Sequence, residues 1–559
     1  MPPEAQERSH RGAVSRAGTA YVRTRTASAC QICRARRAKC DNEKPCSYCR
    51  RIGATCSSEP TSATAGFDPA SLAILAKLEE VQIAQGPLHD ASMQAPLALR
   101  LDRHLQRGNI SQVLAWDIWQ PHELPECLTA GEEEPGAHPT SFSRAQTAGL
   151  DQGLDLSLFA GYLDAFFRNV HVLNPVLAEQ QIRAQLTNLL LNGIGWDAAS
   201  CLLLLVLANG AGSAQFGELS MTGPTGGRDE QRWANAQALF EAAEKRKNTL
   251  WRSDYLTQAR CHFYSGLFMM VSMRPFDAWR HFLQGLATCQ GSTASAHRRR
   301  PRHPAQDEKH AKESIYWSCW KSERELRFEL DMPNFSSAGY DHPIMFPTLP
   351  PEVFDQEQLR AWYFYLAEIS LWRSEMTARE TLSEFVRQKP SDLEALAERV
   401  VDLERSLASW RASLPDAISL DAGLQSSTVD VLHFVLQGRL TYNYEVLTWP
   451  FLETQLLFEA HRTAGASELA ARGVRVHYDR LSINRAGFYY RHHGTWLMQR
   501  SSARSACILL AVARSNSSDL LPTGWQAVVS DTIAMLEYWS ETPEDETVGF
   551  LKSALLEFM

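Results

Sequence analysis

The chain has 559 residues and a formal net charge of −8, and its length suits a small module with one large or two medium domains. Its strongest apolar run, Cys201 to Ala208, is far shorter than a bilayer requires, so no transmembrane helix is expected. The charge is uneven. Residues 1–60 carry 12 Lys and Arg against 5 Asp and Glu, whereas the remainder carries 44 against 59. This asymmetry favours a basic nucleic-acid-binding head on a body that does not attract DNA.

The first segment, residues 1–27, contains scattered arginines and neither an apolar run nor an acidic cluster. We expect a disordered basic arm here. No secretory signal is evident at this end, so the cysteines that follow are expected to stay reduced in a nuclear or cytosolic setting.

Six cysteines then follow at the spacing C-x2-C-x6-C-x5-C-x2-C-x6-C, which repeats one three-cysteine unit twice. They are Cys30, Cys33, Cys40, Cys46, Cys49 and Cys56. Thiolates at Cys-x2-Cys spacing are natural ligands for tetrahedral zinc. Two zinc ions need eight coordination positions, so two of the six sulfurs must bridge, and the first cysteine of each unit is the symmetric choice. One zinc would then bind Cys30, Cys33, Cys40 and Cys46, and the other Cys30, Cys46, Cys49 and Cys56.

A zinc site filled by sulfur alone is structural, because a catalytic zinc keeps a position open for water or substrate. A stretch this short cannot bury enough apolar surface to fold alone, so the metal must supply the folding free energy. Between Cys33 and Cys40 the chain reads Arg-Ala-Arg-Arg-Ala-Lys, which predicts a short basic helix. Such a helix fits the DNA major groove, where arginine pairs bidentately with guanine.

The stretch from Cys30 to Cys56 resembles the fungal binuclear zinc-cluster DNA-binding domain, a six-cysteine, two-zinc module. The resemblance implies the same bridging pattern and recognition of short CGG-like triplets. It implies base contacts at Arg36 and Arg37. It also implies that the candidates for phosphate contacts are Arg34, Lys39, Arg50 and Arg51. Gln31 stands where the family often has an acidic residue or its amide, but this position is not a ligand.

Two other interpretations of the cysteines remain open. The six thiols could form disulfides, although a reducing compartment opposes this. The zinc module could instead bind protein, which would leave the basic run without a purpose.

Residues 59–150 are predicted to form a linker, because the stretch is rich in small polar residues, Pro and Gly. Within it, Ser71–Ala84 carries leucines at heptad spacing that decays after two heptads. This segment forms either a homodimer seam or a lone amphipathic helix packed on the body. One further short helix is expected before residue 150.

Residues 151–559 show apolar residues at helical spacing and few strand signals, which predicts an all-α body. Two helices have clear apolar faces. The first begins at Pro275 and carries Phe276, Trp279, Phe282, Leu283 and Leu286. The second ends at Pro333 and carries Tyr316, Cys319, Trp320, Leu326 and Leu330, with Glu323 positioned to pair with Arg327. The stretches LFAGYLDAFFRNVHVLNPVL, MRPFDAWRHF and IYWSCWKSERELRFELDMP resemble the middle homology region of fungal zinc-cluster regulators, which implies a helical regulatory domain.

The body shows no Gly-rich phosphate loop, nucleophile elbow or paired metal ligands, so we expect no enzyme activity. His492 and His493 are expected at a helix start or in the core. The run His297–His303 is expected in a solvated loop, with a nuclear-import signal as the weaker alternative. The cysteines outside the cluster are expected to be buried thiols. They are Cys127, Cys201, Cys261, Cys289, Cys319 and Cys507. The C-terminal segment ETPEDETVGFLKSALLEFM is either a docked amphipathic helix, which we favour, or a transactivation segment.

Together these observations predict a nuclear, sequence-specific regulator that binds two zinc ions and double-stranded DNA. Its expected partners are the transcription machinery or co-regulators, a homodimer remains one of the two alternatives for Ser71–Ala84, and no membrane is expected. Regulators of this architecture often serve one pathway, frequently a secondary-metabolite gene cluster. The alternative is a zinc-stabilised scaffold whose basic head meets acidic proteins and binds DNA without sequence preference.

Overall fold

The computed structural model describes fifteen separate parts of the chain, and the chain divides into two compact units, Met1–Gln94 and Ala95–Met559. The described residues are 30, 32–33, 36, 38–41, 43–56, 108–119, 155–216, 230–298, 306–333, 346–347, 355–388, 392–421, 430–458, 463–540 and 546–558. All regular structure within these ranges is helical, as the sequence predicts. None of the helices found there is long and apolar enough to cross a bilayer. The predicted basic arm (1–27) and the predicted dimer segment (Ser71–Ala84) lie outside the described residues.

The first unit contains helix α1 (Ser47–Ile52). The second contains α2 (Ile110–Leu114), α3 (Phe159–Asn169), α4 (Glu179–Asn192), α5 (Ala198–Gly212), α6 (Glu230–Glu244), α7 (Tyr255–Val271), α8 (Pro275–Arg298), α9 (Gln306–Glu329), α10 (Gln356–Gln388), α11 (Leu393–Ala412), α12 (Val431–Leu457), α13 (Ala464–Asn484), α14 (Thr495–Arg514), α15 (Trp525–Trp539) and α16 (Glu546–Leu556).

Helix α5 is the buried centre of the N-terminal half of the body. Its sequence is apolar on every side from Cys201 to Ala208, and each of those residues is buried. Helices α3, α6 and α7 pack around it. Asp197 caps its N-terminus by accepting a hydrogen bond from the Ser200 N–H at 2.7 Å. A helix with no polar face must be enclosed, so α5 determines where this core lies.

Helices α8 and α9 carry the two apolar faces that the sequence predicts, and both faces pack against this core. In α8 the face is formed by Phe276, Trp279, Phe282, Leu283 and Leu286. In α9 it is formed by Tyr316, Cys319, Trp320, Leu326 and Leu330. Helix α8 begins at Pro275 as expected, and α9 ends at Glu329, before Pro333 is reached.

One expectation about the end of α8 was wrong in part. The run His297–His303 was expected in a loop, but α8 continues to Arg298, so its first two residues are helical. Nothing in the sequence breaks the helix before Pro301, whose ring disfavours helical geometry at the preceding residue. Residues 299–303 lie outside the described part of the chain.

The predicted ion pair between Glu323 and Arg327 is present inside the body. Arg327 Nε lies 3.1 Å from Glu323 Oε1, and both side chains are buried. The indole N–H of Trp279 donates to the same oxygen at 3.2 Å. The carboxylate is therefore satisfied within the core, which supports a structural role for this pair.

A second buried charge cluster centres on Glu445 of α12. Its carboxylate accepts from Arg480 Nε of α13 at 2.6 Å and from Arg504 Nη2 of α14 at 2.7 Å. Arg504 Nη1 also lies 3.5 Å from Glu329 Oε2 at the end of α9. Burial alone would raise the pKa of Glu445, but the two guanidinium groups outweigh it and lower the pKa to about 2. These charges join four helices that are distant in sequence.

Residues 108–119 contain a short helix, as expected within 59–150, but they do not form a linker. Helix α2 and the turn after it lie in the core of the second unit, with Trp116 and Trp119 almost fully buried. The Trp119 ring lies edge-on to Phe550, 5.5 Å between centroids, and Trp116 lies 6.0 Å from Trp449. This segment therefore belongs to the helical body.

The C-terminal helix α16 docks on the body, which confirms the favoured prediction for this segment. Phe550, Leu551 and Leu555 are buried against the same core that holds Trp119. Arg514 Nε donates to Glu557 Oε2 at 2.9 Å, and Arg514 Nη1 donates to the Ile118 carbonyl oxygen at 3.3 Å. The last helix and residues 108–119 are thus held by one arginine.

The isolated cysteines and the histidine pair behave largely as expected. Buried thiols are found at Cys201, Cys261, Cys289, Cys319 and Cys507, and Cys127 lies outside the described residues.

His492 is buried just before α14, and its backbone N–H donates to Thr495 Oγ1 at 2.8 Å. Its position at a helix start confirms the structural role predicted for it.

Candidate metal centre and nucleic-acid interface

The six cysteines of the first unit converge on one small cluster. Cys30, Cys33, Cys40, Cys46 and Cys49 are buried and Cys56 is half-buried. Among the described residues, the apolar side chains other than cysteine that pack on this cluster are those of Ile32 and Tyr48, and both are only partly buried. The convergence of thiols, with so little apolar surface around them, is what a metal-stabilised module requires.

Two backbone patterns repeat in the cluster with an offset of 16 residues, the separation of Cys30 and Cys46. The Ala38 N–H donates to the Cys33 carbonyl at 2.9 Å, and the Ala54 N–H donates to the Cys49 carbonyl at 3.1 Å. The first thiol of each three-cysteine repeat also accepts a backbone N–H. Cys30 accepts it from Cys33, and Cys46 accepts it from Cys49. The sequence repeat is therefore a structural repeat of two similar lobes.

The sulfur separations fit shared tetrahedral zinc. Cys30 Sγ lies 3.8 Å from Cys46 Sγ and 3.6 Å from Cys49 Sγ, and Cys33 Sγ lies 3.6 Å from Cys46 Sγ. Two sulfurs on one tetrahedral zinc, with Zn–S near 2.3 Å, are about 3.8 Å apart. The thiols of Cys30 and Cys46 each lie beside a thiol of the opposite lobe, and all four sulfurs lie within 4.8 Å of one another. The donor set therefore fits zinc.

The local environment separates the thiols by acidity. The Cys33 N–H lowers the pKa of Cys30, and the Cys49 N–H lowers the pKa of Cys46, because a thiolate accepts a hydrogen bond better than a thiol. Burial raises the pKa of Cys49 to about 12 and that of Cys33 further. Metal binding must therefore drive deprotonation of the latter two, as is usual for zinc thiolates.

The predicted DNA-contacting residues are only partly within the described part of the chain. Arg36 and Lys39 are exposed beside the first lobe, whereas the placement of Arg34 and Arg37 lies outside the described residues. In the second lobe Arg51 is exposed, and its guanidinium lies 5.6 Å from the centre of the Tyr48 ring. The structure thus leaves these three cations accessible to a partner.

Arg50, the remaining predicted contact, is engaged by the loop between the third and fourth cysteines. Its Nη2 donates to the Pro45 carbonyl at 3.0 Å and lies 3.3 Å from Glu43 Oε2. Its side chain is 60 % exposed and that of Glu43 is 66 % exposed.

Sequence reasoning missed the part played by Asp41, which follows the third cysteine. Its carboxylate accepts the Ser47 N–H at 3.1 Å and the Glu43 N–H at 3.4 Å. A hydrogen bond from the Ser47 hydroxyl lowers the pKa of Asp41 most, and the two N–H bonds lower it further. The sequence carries no clear signal for this contact, because Asp41 lies six residues before Ser47 and the N-cap position itself is occupied by Cys46.

Residues 28–64 match the family model of the fungal Zn(2)-Cys(6) binuclear cluster domain. No curated protein matches the chain in sequence. The N-terminal module is therefore a two-zinc cluster domain of the kind that fungal DNA-binding transcription regulators carry, and a large helical body follows it. The match ends before that body, so it gives the body no family.

Proposed function

We propose that the protein is a sequence-specific DNA-binding transcription regulator that reads CGG-like triplets through its zinc cluster. The observation that carries this proposal is the pair of matched lobes built on six converging thiols, with accessible cations beside the first lobe. A closed metal centre makes a rigid surface, and the charge on that surface suits a nucleic acid.

In this proposal Cys30 and Cys46 bridge two zinc ions. The first zinc also binds Cys33 and Cys40, and the second also binds Cys49 and Cys56. The 3.8 Å separation of Cys30 Sγ and Cys46 Sγ supports this pairing, since both sulfurs must reach both ions.

Base contacts are assigned to Arg36 and Arg37, because a bidentate arginine distinguishes guanine from other bases in the major groove. Phosphate contacts are assigned to Arg34, Lys39 and Arg51, which position the module without reading sequence. Residues 1–60 carry 12 Lys and Arg against 5 Asp and Glu, which supports the electrostatic part of the binding.

The helical body is assigned a regulatory role in the nucleus, with co-regulators or the transcription machinery as partners. Its support is the resemblance of three stretches to the middle homology region, together with the helical structure they adopt. Dimer formation through Ser71–Ala84 and service to a secondary-metabolite pathway are kept as part of the proposal, on sequence and family resemblance alone.

The experiment that tests the proposal compares zinc-loaded full-length protein with the variant Arg36→Ala/Arg37→Ala on duplexes with CGG triplets and with scrambled triplets. Each lost base contact should remove about 1–3 kcal/mol of discrimination, so the variant should bind both duplexes alike. The control Arg8→Ala/Arg11→Ala removes equal charge from the predicted basic arm. It should weaken binding to both duplexes equally and keep the preference.

Wild-type protein that binds every duplex alike, with affinity that only fades as salt rises, would contradict the proposal. That result would favour the zinc-stabilised scaffold whose basic head meets acidic protein surfaces.

A further inference from the structure

The loop between the third and fourth cysteines has no apolar anchor among its described residues. Asp41, Glu43, Lys44 and Pro45 are all exposed. This loop nevertheless leads directly from Cys40 to Cys46, which are assigned to the same zinc. Its conformation therefore depends on polar contacts and on the metal.

Those polar contacts span the loop from both ends. Asp41, next to Cys40, accepts the backbone N–H of Ser47, next to Cys46, at 3.1 Å. Arg50 of α1 reaches back to the Pro45 carbonyl at 3.0 Å, immediately before Cys46. Both contacts therefore act on the backbone that delivers the Cys46 thiol.

The Arg50–Glu43 ion pair is not the contact that stabilises the loop most. An exposed pair of this kind contributes little by itself, because water and salt screen it. A hydrogen bond from a charged group to a fixed backbone atom is stronger and directional. The Asp41 bonds to N–H groups and the Arg50 bond to a carbonyl are both of this type.

We propose that Asp41 and Arg50 form an inter-lobe clamp that holds the loop 41–47 in place and so retains zinc in the cluster. Arg50 is then a positioning residue for the metal centre and not a phosphate contact. The inference rests on zinc binding by the module and is independent of which DNA sequence the protein reads.

The clamp also accounts for a difference between the lobes. Arg50 corresponds to Arg34 in the first lobe when the 16-residue offset is applied, so both lobes carry arginine directly after their second cysteine. The position corresponding to Asp41 is Arg25, which cannot accept a backbone N–H. An arginine in the same place of the repeat is therefore given a different role in each lobe.

The test is the rate at which zinc-loaded full-length protein loses zinc to the chromogenic chelator 4-(2-pyridylazo)resorcinol, without DNA. Asp41→Asn and Arg50→Gln should each release zinc about 10-fold faster than wild type, the lower end of the effect seen when groups that support metal ligands are removed. Circular dichroism at 222 nm verifies that the helical body of each variant is folded.

Arg51→Gln is the matched control, since it removes the same charge one residue away and leaves the loop contacts intact. It should release zinc at the wild-type rate. Wild-type rates for Asp41→Asn and Arg50→Gln would overturn the clamp, as would equal acceleration by Arg51→Gln. Fewer than two zinc ions bound by Asp41→Asn at saturation would also overturn it, because Asp41 would then be a ligand.

A DNA titration separates the two roles of Arg50. The clamp predicts that Arg50→Gln leaves the salt dependence of DNA binding unchanged once zinc is saturating. If Arg50 contacts a phosphate, Arg50→Gln should instead make the negative slope of log K against log salt shallower by about 0.9. A shallower slope with unchanged zinc release would overturn the proposal.

Discussion

Removing the charge of Glu445 should destabilise the helical body strongly. The substitution Glu445→Gln keeps the shape of the side chain but leaves the buried guanidinium groups of Arg480 and Arg504 without their shared carboxylate. Arg504 retains a contact to Glu329, which limits the loss. Breaking a buried ion pair from one side costs about 3–5 kcal/mol, and we expect the lower end of this range here.

The pKa of Glu445 gives the same magnitude for the loss of stability. Its value falls from the ordinary 4.5 to about 2 in the folded protein. A shift of this size corresponds to about 3 kcal/mol of stability, which is fully present above the unfolded pKa. Because the folded pKa is lowered, this stability is lost as pH falls from about 4.5 through about 2. The difference between wild type and Glu445→Gln should therefore be largest near neutral pH and shrink on acidification.

The assay is urea unfolding of the full chain, followed by circular dichroism at 222 nm at neutral pH and at pH 3. Glu537→Gln is the control, because Glu537 pairs with Lys552 at an exposed site where an ion pair contributes less than about 1 kcal/mol. An unfolding midpoint for Glu445→Gln that matches the Glu537→Gln control at neutral pH would refute the reasoning.

Three further outcomes are expected. Cys46→Ser should lose both zinc ions, whereas Cys56→Ser should retain about one, as measured by elemental analysis; equal losses would contradict the bridging assignment. Trp119→Ala should lower the free energy of unfolding by about 3–5 kcal/mol and expose residues 108–119 to protease, and unchanged cleavage would show that the segment is not part of the core. Gly210→Ala should destabilise by about 1–3 kcal/mol despite the better helix propensity of alanine, because the added Cβ would lie 2.0 Å from the Tyr162 carbonyl oxygen; a raised melting temperature would refute this.

The zinc cluster could be predicted from the sequence because metal geometry imposes ligand spacing. Thiolates must converge on a small ion, so Cys-x2-Cys units at a fixed repeat leave few other arrangements. The contacts of Asp41 and Arg50 could not be predicted in the same way. They depend on how a polar loop folds back on α1, and no residue spacing encodes that path.

The helical body was predictable where one face of a helix is apolar, as in α8, and where Glu323 and Arg327 are one turn apart. The Glu445 cluster was not, because Arg480 and Arg504 lie on other helices far along the chain. The Pro- and Gly-rich neighbours of residues 108–119 predict a linker there. The bulky residues Ile110, Trp116 and Trp119 of this segment were the signal that it packs in a core.

The measurement that tests the central claim most directly is the affinity of zinc-loaded full-length protein for duplexes that carry paired CGG triplets at varied spacing, one triplet, or scrambled triplets. We predict triplet-dependent binding that persists at physiological salt, with one preferred spacing if the chain is a dimer. Equal affinity for all duplexes across the salt series would contradict the claim that this zinc cluster reads DNA sequence.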